Sequence, residues 1–536
     1  MDVAIKNQNK SGMAMWFPLL VVCFAQVGTS GDNSVLSMST NEFISQLNAT
    51  MNQVQLANIV YSLLAGALMV FGGMLGIAKG FKQVFMAGAA LCAAGEALAV
   101  VAPNMEVLVW GARSLTGFGA ALMIPSVLGI IVSLYEGKER AVAFGGVGAA
   151  TGVAAVVMPI GAGVIMDASG YQVAFSTMSG WFVLVFLASW RLIPNIKPAQ
   201  MRVDYVGTVM ASLGLLAFII GSSKISEWGL IEPMSAPFTV MGMSPALPLA
   251  ILGIGIMVVT MMIEKQIEQK HSAALIPQSF IKTRQVRNGL YVTGLIFAVF
   301  GVVFFVIPSW IMVVAGLSGA ETGIAVAVMA APMIVLSLGI PKKCSHWSPR
   351  VIVLASSALV CLGAILMAYS LQADGFNPVF MYAGLLSLGC GLGGYSSQSA
   401  MIVASALNPR DAAQSGGIQC STRNVWQAAG VAIIGTVLLF SSTAIYKSEI
   451  AKSDVAPIVK TYVAETPVHG FMSNQVLIEK LTQAGADMPQ AKAALSIYKD
   501  VRIKSAQYSF WALALLVLLH IPGFIGIPTQ GWTQKP

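Results

Sequence analysis

Residues 14–38 read AMWFPLLVVCFAQVGTSGDNSVLSM. The first half is a run of apolar side chains of the kind that crosses a bilayer. The second half continues that run but places an acid, Asp32, beside Gly31, Asn33 and two serines. A carboxylate at the centre of a bilayer costs about 2.5–3.5 kcal/mol on insertion scales, so an acid at that depth is a functional hypothesis by default. Whether this stretch lies in a membrane decides the fold.

Composition answers that question. The chain has 536 residues, of which 56% are hydrophobic and 10% charged, with a mean hydropathy of +0.77. Soluble domains carry about 25% charged residues, and this chain has too few to cover a water-facing surface. About 20 predominantly apolar residues span the hydrocarbon core as a helix. Fourteen segments meet that length: 14–38, 56–78, 83–102, 107–134, 141–166, 172–193, 204–223, 244–263, 289–314, 322–340, 351–371, 379–406, 420–444 and 506–527. The runs are continuous and lack the alternation of a membrane barrel, so the class is an all-α polytopic membrane protein. The first run follows two lysines but is long and has no small-residue cleavage pattern, which reads as a retained helix.

Lys and Arg set the orientation. With an odd-even count from the N-terminus, nineteen of them fall on the side that holds both termini, against Lys224 alone in the short opposite loops. Both termini are therefore expected in the cytoplasm. The net charge of +8 reflects this topology and gives no reason to expect nucleic acid. Cys23, Cys92, Cys361, Cys390 and Cys420 fall in spans and Cys344 in an inner loop, so no disulfide framework is expected. The histidines are scattered, and no metal site is expected.

The spans divide six, two and six. Residues 1–194 form one six-helix bundle, 195–287 an inserted hairpin with its linkers, and 288–536 a second six-helix bundle. Such a plan is that of repeat-built transporters. Residues 447–505, between the last two spans, have helical periodicity. They read as an external helical hairpin over the mouth, with a solvated linker as the alternative.

Three ionisable residues lie deep in the spans: Asp32, Glu96 and Arg113. Asp32 reads either as a proton-exchanging group or as a structural carboxylate permanently paired with a buried Arg. Counting 1.5 Å per residue from the turn at 103–106 puts Glu96 and Arg113 about 10 Å below the interface, level across an antiparallel hairpin. Either the two face each other or Glu96 snorkels on the lipid side. Arg423 is expected to snorkel from the inner end of helix 13. The span AVAFGGVGAATGVAAVVMPIGAGVIM (141–166) is rich in glycine and holds Pro159, as a bendable, closely packed helix would. Candidate lining side chains for a small-molecule path are Asn33, Asn58, Tyr61, Trp310, Tyr395, Gln398, Asn424 and Trp426. Each aromatic among them also reads as packing or interface anchoring.

These stretches together resemble the major facilitator superfamily, in particular its fourteen-helix drug–proton antiporters, the relatives of quaternary-ammonium efflux pumps. GDNSVLSMS (31–39) is similar to that family's first-helix motif and YSLLAG (61–66) to its second-helix signature. LVWGARSLTGFGAALMIP (108–125) resembles the helix 4 motif, with Arg113, Gly117 and Gly119 at its key positions. GVAAVVMPIGAG (152–163) resembles the helix 5 antiporter motif, and DYVGTVMASLGLL (204–216) the start of the inserted pair. The chain departs from the pattern at Ile77, where an Asp is usual, and at Met158, where a Gly usually precedes the Pro. It also has no acid in helix 13.

The resemblance implies a bacterial inner-membrane exporter, driven by the proton gradient without a cofactor, monomeric, whose partners are a small-molecule substrate, protons and the lipid bilayer. It implies alternating access between the bundles. Asp32 would carry the proton, Arg113 would modulate it, and Glu96 would be a second site. Gly73, Gly80, Lys82, Gly117, Gly152, Pro159 and Gly163 would form the conformational motifs. The expected substrates are lipophilic, cationic antimicrobial compounds. An anionic or lipid-like molecule or a metabolite is the alternative. A receptor or enzyme would need a cluster of nucleophilic or metal-binding residues that the His and Cys placement does not supply.

Overall fold

The computed structural model describes residues 14–39, 42–43, 46–47, 49, 51–198, 204–233, 236–271, 277–313, 319–372, 375–466 and 474–532. The side chains of Asn33 and Trp310 lie outside the described residues.

Apolar runs bounded by capping residues fold into long helices. They are α1 Phe17–Met38, α2 Met51–Lys79, α3 Phe81–Val100, and α4, which starts with a π-helical turn Val107–Arg113 and continues as Ser114–Leu134. Next come α5 Gly137–Met166 and α6 Ala168–Leu192, with the chain kinked in the first turn of α6 at Gly170, where φ is 80°. The pair α7 Tyr205–Ser223 and α8 Ala246–His271 follows. Then come α9 Arg284–Val313, α10 Gly319–Lys343, α11 Pro349–Ser370, α12 Pro378–Ala404 and α13 Pro409–Lys452. The chain closes with α14 Pro457–Glu465, α15 Asn474–Gln483 and α16 Met488–His520. Among the described residues, fourteen helices are long and apolar enough to cross a membrane, in the fourteen places expected from hydropathy. Helix starts follow chain chemistry. Asp204, Asn377, Asn408 and Asp487 each accept a backbone N–H in the first turn of α7, α12, α13 and α16, and three of these helices have Pro at the first turn.

The helices form two six-helix bundles. One core joins side chains of α1–α6, among them Val22, Phe85, Leu108, Phe144 and Phe182. The other joins α9–α13 and α16 through Leu295, Met333, Val360, Leu388 and Phe510. The inserted pair α7–α8 packs through Ala211 and Leu215 against Val70 and Met74 of α2, with Val425 of α13 alongside. It therefore touches both bundles.

At the end that carries residue 14 and residue 532, the bundles press together on glycines. A Cβ at Gly73 would lie 2.9 Å from the Cα of Gly417, and one at Gly416 would lie 2.5 Å from the Pro125 carbonyl oxygen. Gly145 meets the Ser337 carbonyl in the same way. At the other end the bundles part around a cavity of about 890 Å³.

Residues 447–505 differ from the expected hairpin. α13 and α16 continue well past the spans read from hydropathy, and α14 and α15 pack between them around Tyr446, Ile450, Val459, Val463, Leu477, Leu481, Leu495 and Tyr498. The helical period read from the sequence was the apolar face of a small separate core. The lone-hairpin reading missed its other half, the prolonged ends of the two spanning helices.

Candidate functional site: a buried ion triad beside a cavity

Asp32 of α1, Glu96 of α3 and Arg113 of α4 converge inside the first bundle, each with no exposed surface. Arg113 Nη2 donates to Asp32 Oδ2 at 2.6 Å and Nη1 to Asp32 Oδ1 at 3.2 Å, a two-pronged pair. Nη1 also reaches Glu96 Oε1 at 3.5 Å, while Glu96 Oε2 has no hydrogen-bond partner among the described residues. The shared depth counted from the turn thus brings Glu96 and Arg113 into contact.

Small residues make this convergence possible. A Cβ on Gly95 would lie 2.8 Å from the Ala112 carbonyl oxygen, and one on Gly117 would lie 2.9 Å from that of Tyr61. Gly31 is covered directly by the side chain of Met158. The residue that departs from the helix 5 motif therefore seals the neighbour of Asp32. The π-turn that ends at Arg113 shifts the register of α4 by one residue there, a device frequent at functional sites.

With all three groups ionised, the triad holds two negative charges and one positive. An uncompensated charge in a dry interior costs several kcal/mol, so the charge-balanced form carries one proton. Arg113 satisfies both oxygens of Asp32 and only one of Glu96.

Tyr61 of α2 links this triad to the cavity. Its hydroxyl donates to the Thr29 carbonyl at 3.0 Å, its ring lies 4.6 Å from the Arg113 guanidinium carbon, and it lines the cavity wall. Asn58 and Asn424 also line the cavity, and Asn424 Nδ2 lies 3.2 Å from Met69 Sδ. Three other expected lining residues do not. Tyr395 is fully buried within the second bundle, hydrogen-bonded to Ser357 at 2.7 Å. Gln398 is buried near the chain end, accepting from Trp532 Nε1 at 2.9 Å. Both lie on α12, whose small residues give no polar face by which to phase it from sequence. Trp426 points away from the cavity, into a cleft of about 150 Å³ bounded by α2, α7, α8 and α13, against Tyr291 and His520.

Among the motif positions, Gly73 and Gly152 face the opposite bundle, where a Cβ on Gly152 would lie 2.8 Å from Ile334 Cγ1. Gly80 has φ 99° and makes the turn between α2 and α3, a conformation that favours glycine. Lys82 donates to the Trp190 carbonyl at 2.9 Å. Pro159 lies inside α5. Gly163 faces open space with nothing within 4 Å, so close packing there is not its role. The helix 5 glycines pack tightly only in the first half, from Gly145 to Gly152.

The cavity also takes residues the sequence did not single out. Trp110, Lys224, Trp228, Phe297 and Gln427 line it, as does Arg423. Arg423 does not snorkel: its guanidinium carbon lies 4.9 Å from the Phe297 ring centre, between the bundles. The readable signal was the polar group Arg423, Asn424 and Gln427 at membrane depth.

Comparison with known proteins agrees with this architecture. The chain is 25% identical over 79% of its length to the "Probable actinorhodin transporter" of Streptomyces coelicolor, covering 72% of that protein. It is 25% identical over 85% of its length to "Puromycin resistance protein pur8" of Streptomyces alboniger, covering 87% of it. The solved structure of the human organic anion transporter MFSD10 superposes with a TM-score of 0.52 at 11% identity, covering 94% of this chain and 97% of that one, which speaks to the fold alone. The family model of the Major Facilitator Superfamily matches residues 22–431. Two six-helix bundles that part around a central cavity, with that match across most of the length, establish an integral membrane transporter and not an enzyme: the chain belongs to the Major Facilitator Superfamily.

Proposed function

We propose that the protein is a proton-coupled exporter of lipophilic small molecules, of the antibiotic kind that its relatives' names describe. The carrying observation is the triad of two carboxylates on one guanidinium, separated from the cavity by the ring of Tyr61. α1 contributes Thr29 and Ser30 to the cavity and Asp32 to the triad within one helical turn. A substrate that displaces α1 or Tyr61 therefore acts on the ion pair directly. Loading a proton on Glu96 balances the triad, and losing it leaves a charge that favours a hydrated arrangement. With the termini in the cytoplasm, as the Lys and Arg bias implies, the cavity opens outward and this form is the one that releases substrate.

One proton is sufficient. At about 2.3 kcal/mol per 100 mV, a single inward proton supports roughly a 50-fold substrate gradient. The cationic substrate expected from the family resemblance finds no Asp or Glu in the cavity wall among the described residues.

The test is transport in proteoliposomes under an imposed pH gradient, over a panel of lipophilic antibiotics that includes puromycin. The expected result is gradient-driven movement of at least one compound, with stoichiometric proton counterflow read by a pH dye. Glu96→Gln should exchange substrate at equal concentrations yet fail to concentrate it. Concentrative transport by that variant, or transport indifferent to the gradient, overturns the coupling.

A further inference from the structure

We infer that the cavity is built for amphipathic organic anions, with Arg423 as the residue that reads the negative group. This assignment rests on the exporter reading for its physiological meaning, but its geometry stands on the cavity alone.

Two charged side chains line the cavity among the described residues, Lys224 and Arg423, and both are cationic. The carboxylates of the membrane interior are elsewhere: Asp32 and Glu96 are completely buried around Arg113 and contribute nothing to the wall. No carboxylate pairs with Arg423 among the described residues, and its Nε has no hydrogen-bond partner there. A guanidinium held in a low-dielectric setting with unfilled donors is costly unless something complements it, and in membrane proteins such groups mark substrate paths.

The surroundings suit a ligand with one charged end. Phe297 lies against the guanidinium, which leaves its donor edge for a planar, two-oxygen acceptor such as a carboxylate or sulfonate. Asn424 and Gln427, one and four positions on, supply amide donors to the same wall. Much of the remaining wall is apolar or aromatic, with Trp110, Ile124 and Ile219 able to take a fused-ring body, while Gln26, Thr29, Ser30 and Asn58 add polar groups on the side of the first bundle. The volume of about 890 Å³ falls in the range of drug-sized sites. A cationic amphiphile of the same shape would meet the positive charge of Arg423, for which no carboxylate partner is found among the described residues.

The experiment uses the full-length protein in detergent and two probes that share one body, 2-naphthalenesulfonate and 2-naphthyl-trimethylammonium, with binding followed by calorimetry. The sulfonate should bind about tenfold or more tighter than the ammonium, since a charge-assisted pair is at stake. Arg423→Gln should remove that preference, Arg423→Lys should keep part of it, and Arg423→Glu should reverse it. Equal or tighter binding of the ammonium by the parent, or an unchanged sulfonate affinity in Arg423→Gln, overturns the assignment. Arg423→Lys serves as the folded control, so a loss confined to Gln and Glu is not a folding defect. Arg423-dependent sulfonate binding without any transport would sink the exporter reading and leave this one standing. Gradient-driven transport of compounds whose binding ignores Arg423 would do the reverse.

Discussion

The two bundles treat charge in opposite ways. The first buries three ionisable groups and shields them from the cavity behind Tyr61. The second has no acid deep in its spans and, among the described residues, presents a single guanidinium, Arg423, to the space between the bundles. Two carboxylates on one guanidinium, balanced only when one proton is added, could respond to pH without contacting a ligand. A guanidinium that lines the cavity with no carboxylate partner among the described residues can meet a ligand directly. Under the function proposed above, the division would separate energising from recognition in space, and each half can be broken alone.

The largest effect should come from Arg113→Gln. It strands two carboxylates with no counter-charge, and breaking a buried pair this way costs about 3–5 kcal/mol. Thermal unfolding in detergent should show a large drop, recovered in good part when Asp32→Asn and Glu96→Gln are added. Parent-like stability of the single variant would mean that the first bundle does not depend on the charge balance described.

Gly417→Val comes next and tests the surface on which the bundles close. Forcing a branched side chain against Gly73 costs about 1–3 kcal/mol in the closed contact and should shift the conformational equilibrium by roughly 5- to 150-fold. Spin-label distances across that end should lengthen. Unchanged distances would place the moving contact elsewhere.

Glu96→Gln should cost less than about 1 kcal/mol, because the Asp32–Arg113 pair stays whole and the formal charge is balanced without a proton. A loss comparable to that of Arg113→Gln would show that Glu96, rather than Asp32, is the main partner of the arginine.

The smallest change should be Gly163→Ala. With open space around it, the added methyl meets nothing, and a helix-interior glycine replaced by alanine gains about 0.5–1 kcal/mol. Measured beside Gly152→Ala, which meets Ile334, it separates glycines that serve contact between bundles from those that do not. Equal effects would erase that distinction.

Hydropathy located the fourteen spans because apolar length is a property of the chain itself, independent of what each helix packs against. Asp32, Glu96 and Arg113 were legible for a related reason: charge at that depth is too costly to be incidental. Rotational phase was not legible. Helices such as α12 and α13 bury side chains on most faces, and the polar side chains of α13 from Gln419 to Gln427 are split between the cavity and the protein interior, so the cavity face is not singled out by sequence. Tyr395 and Gln398 consequently turn inward, Trp426 turns toward the inserted pair, and Arg423 turns toward the cavity. The core around Leu477 and Leu481 was half legible, since its other half belongs to helices whose apolar residues read as membrane.

Those prolonged helices have a mechanical consequence. α13 runs unbroken from Pro409 to Lys452, about 66 Å at 1.5 Å per residue, roughly twice the thickness of the hydrocarbon core. Its pressed contact, at Gly417, lies near one end, and the small core around Tyr446 and Ile450 is fixed to the other. A tilt of about 10° about that contact would carry the far end through roughly 9 Å, a distance far larger than the motion at the pivot. The appended helices thus ride on a lever arm. A pair of dyes, one on α15 and one on the first bundle, would read the rocking of the transporter as a displacement magnified well above the size of its cause.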